Sequence, residues 1–355
     1  MKSLVVTPGK AGTLRLADLD IPSSAENQVL LRVQRVGICG TDRDIIEGFY
    51  GEAPLGYDYL VIGHESLCRI EEVNEADGFK KGDLVVPTVR RSCPENCEAC
   101  SIGMSDMCLT GNYREHGIKQ LHGFASEFAL SDPNYLVKLP DSLSETGVLL
   151  EPLTIAEKGI SAAFNIQKSR LPITPQTALV LGAGPVGLLA TALLKIYGLD
   201  VDTVATRPDD SLKARLANEM GASYINSKEK PLSSLEGKYD LVFELTGNAG
   251  VAIEAQKLVK ANGIVSFLGI YRQTLASEDV GKLFTDLVLG NRVYFGSVNA
   301  NKKYFVDGVN HMIKMQEKWP NLLNRMITGI YRPDDYYEAY LKKDENEIKS
   351  VISFS

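Results

Sequence analysis

Four of the six cysteines in this 355-residue chain fall within residues 93–108, as Cys93, Cys97, Cys100 and Cys108. The spacing C-x3-C-x2-C-x7-C puts four soft ligands in one short loop that also holds Pro94 and Gly103, enough to close a tetrahedron around Zn²⁺. Such a site has no open position, so its role would be to hold a lobe. An Fe–S cluster, two disulfides or buried thiols are the alternatives, and an acidic chain without an export signal argues against disulfides. A second set is dispersed. Cys39 lies in Gly37-Ile38-Cys39-Gly40-Thr41-Asp42, His64 and Glu65 follow Gly63, and Glu151 precedes Pro152. One thiolate, one imidazole and one carboxylate leave a fourth position for water or substrate, as catalytic zinc requires. Taken singly, a cysteine or histidine is more often core than ligand.

A third motif concerns a cofactor. Gly182-Ala183-Gly184-Pro185-Val186-Gly187 has the G-x-G-x-x-G spacing, after the apolar run Ala178–Leu181 and before an apolar helix. Gly182 would allow the tight turn, Gly184 the approach of a pyrophosphate, and Gly187 close helix–strand packing, with the phosphates on the free N–H groups of the helix start. The next strand, Val201–Ala205, ends in Thr206-Arg207-Pro208 with no carboxylate at its tip. Asp202 comes too early, and Asp209 and Asp210 too late, to bond a ribose 2′-hydroxyl. A guanidinium suits a 2′-phosphate, so NADP is expected to be preferred, with NAD possible and Arg207 and Thr206 as readers.

These motifs require two kinds of scaffold. Up to about residue 150, short β-rich runs such as 29–33 and 67–73 are punctuated by Gly and Pro, which predicts an antiparallel β unit or barrel. Beyond about 160, strands at 178–181, 201–205, 241–245 and 264–268 alternate with helices at 186–197, 211–220 and 251–259. That pattern predicts a parallel, doubly wound α/β sheet. A further helix is expected over 304–314.

Composition excludes other classes. The chain is 44% hydrophobic and 23% charged with net charge −7, ordinary for a globular fold and without the basic face of a nucleic-acid binder. The uncharged, Pro- and Gly-rich stretch Leu171–Leu194 reads as strand, turn and helix, so no membrane association is expected. The start of the chain does not read as a signal peptide, and a cytoplasmic setting is the default. Cys68 reads as an inert buried thiol. For His116 a satisfied loop histidine is favoured over a substrate contact, and His311 and Trp319 read as structural.

With these motifs together, the sequence resembles the zinc-dependent medium-chain alcohol and polyol dehydrogenases, most closely the archaeal-type glucose 1-dehydrogenases. The narrower likeness rests on Pro87-x-x-Arg90-Arg91, Glu151-Pro152 through Glu157-Lys158, and Gly296-Ser297-Val298-Asn299-Ala300. The resemblance implies a GroES-like catalytic domain from residues 1–160 and 301–355, carrying the zinc lobe 93–108, around an inserted Rossmann domain over 161–300, with the active site in the cleft. It implies Cys39, His64 and Glu151 as ligands of a catalytic zinc, Glu65 as a neighbouring or exchanging ligand, and two zinc ions per chain. Thr41 would receive the substrate proton. Glu115, Glu157 and Asn299 would meet sugar hydroxyls, with Glu151 close to the substrate. Thr246 and Asn299 would join Gly182, Gly184, Pro185, Val186 and Gly187 around the cofactor. The implied reaction is oxidation of an aldose at C1 by a homodimer or homotetramer. The alternatives are another polyol, threonine or alcohol dehydrogenase, or a non-enzymatic NADPH-binding protein. Two departures stand out: Asp44 replaces a proton-relaying histidine, and the first gap of the cysteine lobe is one residue longer than the common C-x2-C.

Overall fold

The computed structural model describes residues 1–23, 28–73, 78–271, 280–342 and 344–354. Chain contacts divide into two units. One comprises Met1–Glu151, Asn299–Ile313 and Leu323–Ser355; the other comprises Pro152–Val298 and Lys314–Leu322.

The first unit is built mainly on antiparallel strands, with Ile327–Tyr331 joined to Lys349–Ser353 in parallel. Its largest sheet runs in the order Leu136–Lys138, Leu84–Pro87, Glu65–Glu72, Val29–Gly37, Lys349–Ser353, Ile327–Tyr331, with Phe128–Ser131 also paired to Val29–Gly37. Alternation of buried apolar side chains puts Leu31, Val33, Val36, Ile62, Val85, Phe124 and Ile352 in one core. Two registers position the chemistry. Gly37 pairs with Glu65, so the chain leaving one strand at Cys39 passes the chain entering the next at His64. Gly37 also pairs with Val351, which brings the start of the late strand Lys349–Ser353 to the same end of the sheet. A smaller sheet joins Arg90–Arg91, Arg114–His116 and Gln120–Leu121.

The second unit holds six parallel strands in the order Ser223–Asn226, Asp200–Ala205, Thr177–Leu181, Tyr239–Glu244, Val259–Phe267, Val293–Gly296. Numbered within the unit the order is 3-2-1-4-5-6, the doubly wound topology, and the order reverses between Thr177–Leu181 and Tyr239–Glu244. The strand Thr177–Leu181, a glycine turn and the helix Pro185–Ile196 account for most of the uncharged stretch 171–194. No helix among the described residues is long and apolar enough to cross a membrane.

Several elements lie outside the sequence reading, the helix Val280–Leu289 among them. The helix Leu150–Arg170 was legible only as the Glu151-Pro152 motif, because most of its positions are buried and an apolar stripe does not stand out. Gly159 within it leaves room for Leu268, whose side chain a Cβ would crowd. The strands Ser223–Asn226 and Val293–Gly296 have four residues each and form the two edges of the parallel sheet. The expected tail helix is longer at both ends and spans Lys302–Lys318.

Candidate active site

The open cluster forms where the two registers converge. Ligand atoms of Cys39, His64 and Glu65 lie within 4.8 Å of one another. Cys39 caps the helix Gly40–Ile46, and the Asp42 side chain reciprocates: its Oδ2 accepts from the Cys39 backbone N–H at 2.8 Å. The other oxygen of Asp42 accepts from the Gly63 N–H at 3.3 Å and faces His64 Nδ1 at 3.4 Å. One fully buried carboxylate thus fixes both ligand-bearing turns. Burial opposes a charge on His64, yet Asp42 and the Cys39 sulfur carry the ring well above the usual histidine pKa. Thr41 stands in the first turn of the same helix, half-buried.

Glu65 is held from the other side. Lys349 Nζ donates to Glu65 Oε2 at 2.5 Å and to the Ile38 carbonyl at 3.0 Å. Both side chains are buried, and Gly37 has no Cβ because the Glu65 carboxylate fills that space. Burial disfavours the Lys349 charge, but Glu65, Cys39 and Glu151 more than offset this and raise its pKa. No sequence signal marks Lys349 as part of the site. Glu151 lies outside the three-residue cluster but feels its charges. Burial, with the Glu65 and Asp42 charges, pushes its carboxyl up to about 7, against the pull of His64 and Lys349. A thiolate, an imidazole and a carboxylate, with a second acid alongside, fit a zinc ion.

The four-cysteine lobe fits the same metal. All four sulfurs lie within 4.8 Å of one another, close to the spacing of a ZnS₄ tetrahedron, and all six cysteines of the chain are free. The longer first gap is absorbed by a turn. Asn96 takes a left-handed φ of 46° and its N–H donates to the Cys93 carbonyl at 2.9 Å. Backbone N–H groups aim at sulfur: Cys97 N to Cys93 Sγ at 3.3 Å, Cys93 N to Cys100 Sγ at 3.4 Å and Leu109 N to Cys97 Sγ at 3.4 Å. Backbone donors pull the Cys97 thiol down to about 6.

The substrate residues expected from the resemblance are partly joined. Asn299 Nδ2 donates to Glu115 Oε1 at 2.9 Å, and Arg90 Nε donates to the same oxygen at 2.9 Å. Asn299 has a left-handed φ of 57°, and its Oδ1 accepts from the Ala300 N–H at 2.8 Å. Glu157 belongs to the other unit, buried on the helix Leu150–Arg170. Tyr50 is half-exposed and within range of the Glu115 charge. His116 is a satisfied histidine: its ring nitrogen meets the His122 carbonyl at 2.7 Å, and burial, with the Arg91 charge, holds its pKa well below the usual range.

The parallel-sheet unit carries a dinucleotide cradle at its topological switch point. Gly182 has a left-handed φ of 111°. A Cβ on Gly187 would strike the Gly182 carbonyl, whereas a Cβ on Gly184 would meet nothing within 4 Å. Gly187 therefore serves close packing, and the space at Gly184 is what a pyrophosphate would fill, at the N-terminus of a helix with Pro185 and Val186 in its first turn. Asp202 is engaged elsewhere, accepting from Tyr239 Oη at 2.5 Å. Thr206 is exposed and Arg207 half-buried just beyond the strand Asp200–Ala205, and the Arg207 carbonyl accepts from Tyr224 Oη at 2.8 Å. The Thr246 hydroxyl is turned inward. It donates to the buried carboxylate of Glu244 and accepts from the Asn248 N–H at 3.0 Å, so it shapes the turn facing Gly182.

Residues 25–141 match the family model described as alcohol dehydrogenase GroES-like domain, and residues 144–354 match the one described as glucose dehydrogenase C-terminus. The chain is 46% identical to glucose 1-dehydrogenase 1 of Caldivirga maquilingensis, over 100% of this chain and 99% of that protein. It is 43% identical to the glucose 1-dehydrogenase of Methanocella arvoryzae, over 99% of both. Among solved structures, the Haloferax mediterranei glucose dehydrogenase in complex with NADP, Zn and gluconolactone matches with a TM-score of 0.91 and 31% identity, covering 100% of this chain and 99% of that one.

Proposed function

We propose, for a chain that belongs to the glucose dehydrogenase family of GroES-like alcohol dehydrogenases, the oxidation of D-glucose at C1 to gluconolactone with NADP as hydride acceptor. The observation that carries this reading is the convergence of Cys39, His64 and Glu65 on one point, in a chain whose full-length relatives are glucose 1-dehydrogenases. Bound zinc supplies Lewis acidity toward a hydroxyl oxygen, and bound NADP accepts the hydride.

The chain's own residues do the rest. Cys39 and His64 hold the metal, with Glu151 as the third ligand and Glu65 as its exchanging neighbour. Asp42, whose Oδ1 lies 3.4 Å from Nδ1, would orient the His64 ring and leave Nε2 to a metal. Thr41 takes the substrate proton at Oγ1 as its own hydroxyl proton passes outward. Glu115, Asn299 and Glu157 pair with sugar hydroxyls, which a polar site can select strongly because an analogue lacking them leaves buried groups unpaired. The amides and glycines from Gly182 to Gly187 bind the pyrophosphate, and Arg207 and Thr206 read the 2′-phosphate. Thr246 and Asn299 would join the cofactor contacts, Thr246 through the turn that its hydroxyl shapes. The four-cysteine lobe holds the second zinc.

A homo-oligomer, dimer or tetramer, is supported by the edge strand Val293–Gly296 and by Phe284, Val288 and Leu289, each more than half exposed on the helix Val280–Leu289. Six free thiols suit a cytoplasmic setting. Initial rates with a panel of aldoses, polyols and simple alcohols, each with NAD and with NADP, test the proposal. D-Glucose with NADP should give the highest kcat/KM, and a simple alcohol outranking every aldose would refute it. Cys39→Ala or His64→Ala should abolish turnover and leave NADP binding intact.

A further inference from the structure

A closed ring of contacts ties the four-cysteine loop to the Glu115–Asn299 pair, and Arg90 is its hub. Arg90 and Glu115 stand opposite each other in the antiparallel pairing of Arg90–Arg91 with Arg114–His116. While Arg90 Nε holds Glu115 Oε1, its Nη1 donates to the main-chain carbonyl of Asp106 at 3.2 Å. Asp106 lies in the turn Ser105–Met107, between Cys100 and Cys108. Its Oδ1 accepts from Asn301 Nδ2 at 3.0 Å, and Asn301 follows closely on Asn299, which returns the ring to Glu115. Arg90, Asp106, Glu115, Asn299 and Asn301 are all buried, and the guanidinium lies over the Tyr113 ring at 3.6 Å from its centroid.

We propose that Arg90 is a positioning residue that fixes the Glu115 carboxylate to the four-cysteine loop, so that closure of the loop sets the enzyme's hold on the sugar. The inference rests on the reading that Glu115 receives a sugar hydroxyl. Two donors on one oxygen pin the carboxylate's rotation, and Glu115 Oε2 takes no hydrogen bond from the described residues, which leaves it to the substrate. The guanidinium fork reaches two acceptors at once, which an ammonium cannot do in the same geometry.

The test uses the holoenzyme loaded with NADPH, on which glucose binds without turnover and its Kd is read by calorimetry. Arg90→Lys keeps the charge and loses the fork. It should weaken glucose about tenfold, with NADPH affinity and zinc content unchanged. In a Glu115→Ala background, the same change should add nothing. Asn301→Asp opens the ring at another point while keeping the acceptor for the Lys303 N–H, and should shift glucose in the same direction. Cys97→Ser, which removes a ligand of the loop, should lower zinc content and weaken glucose but not NADPH. A parental glucose Kd in both Arg90→Lys and Asn301→Asp overturns the proposal, as does an undiminished Arg90→Lys effect without Glu115. If Glu115→Ala alone leaves glucose binding unaltered, it is the underlying substrate reading that fails.

Discussion

The Asp42 carboxylate faces the His64 ring, Oδ1 to Nδ1 at 3.4 Å, while its other oxygen holds the backbone N–H of Cys39. A single acid therefore engages two of the candidate metal ligands. Asp42→Asn keeps the size but removes the charge that fixes the ring. Zinc affinity at this site should fall by roughly 10–100-fold, as for other outer carboxylates on metal-bound histidines. Chelator competition measures it, and unchanged affinity would show that His64 is oriented without Asp42.

Lys349 and Glu65 form a buried pair in which each neutralises the other. Lys349→Met strands a buried carboxylate and should destabilise the protein by about 3–5 kcal/mol in urea unfolding. The double variant Lys349→Met, Glu65→Leu should recover most of that loss. A single variant as stable as the parent would mean that Glu65 finds another cation or is protonated.

Arg207 follows the strand Asp200–Ala205 where a 2′-phosphate reader belongs, and the Tyr224 hydroxyl braces its carbonyl. Arg207→Ala should raise the KM for NADP by about 10–100-fold, the loss of a charge-assisted contact, with a far smaller effect on NAD. Equal effects on the two cofactors would remove Arg207 from the selectivity role.

Cys68 lies fully buried in the strand Glu65–Glu72, and burial pushes its thiol up to about 12. In the native state at pH 8 it should resist iodoacetamide and react only on unfolding. The raised value also gives the sign of its pH dependence. Its contribution to stability is complete below the unfolded-state value near 9 and is lost as pH rises through about 12. Alkylation of Cys68 in the folded protein at pH 8, read by mass spectrometry, would contradict this.

The metal and cofactor motifs were legible because their chemistry is local. Cys93 to Cys108 form one loop, His64 adjoins Glu65, and Gly182 to Gly187 make one turn. Arg90 with Glu115, and Lys349 with Glu65, were not legible as pairs, since strand register alone brings them together. The helix Leu150–Arg170 escaped because burial on most sides erases amphipathic periodicity, and its first residues showed only as a motif. Thr246 was expected around the cofactor from the resemblance alone. Its hydroxyl goes to Glu244 and Asn248, a commitment that depends on side-chain orientation and leaves no trace in spacing.

The Lys349–Glu65 pair spans 284 positions of the sequence. At ordinary translation speeds, on the order of tens of seconds separate the emergence of the two residues from the ribosome. Through that interval the nascent chain carries Cys39, His64 and Glu65 without the cation that balances them, while the whole dinucleotide unit is synthesised in between. Completion of this buried cluster is thus a late event in biogenesis, and a nascent chain arrested before Lys349 would hold its glycine turn ahead of a charge-balanced Cys39–His64–Glu65 cluster.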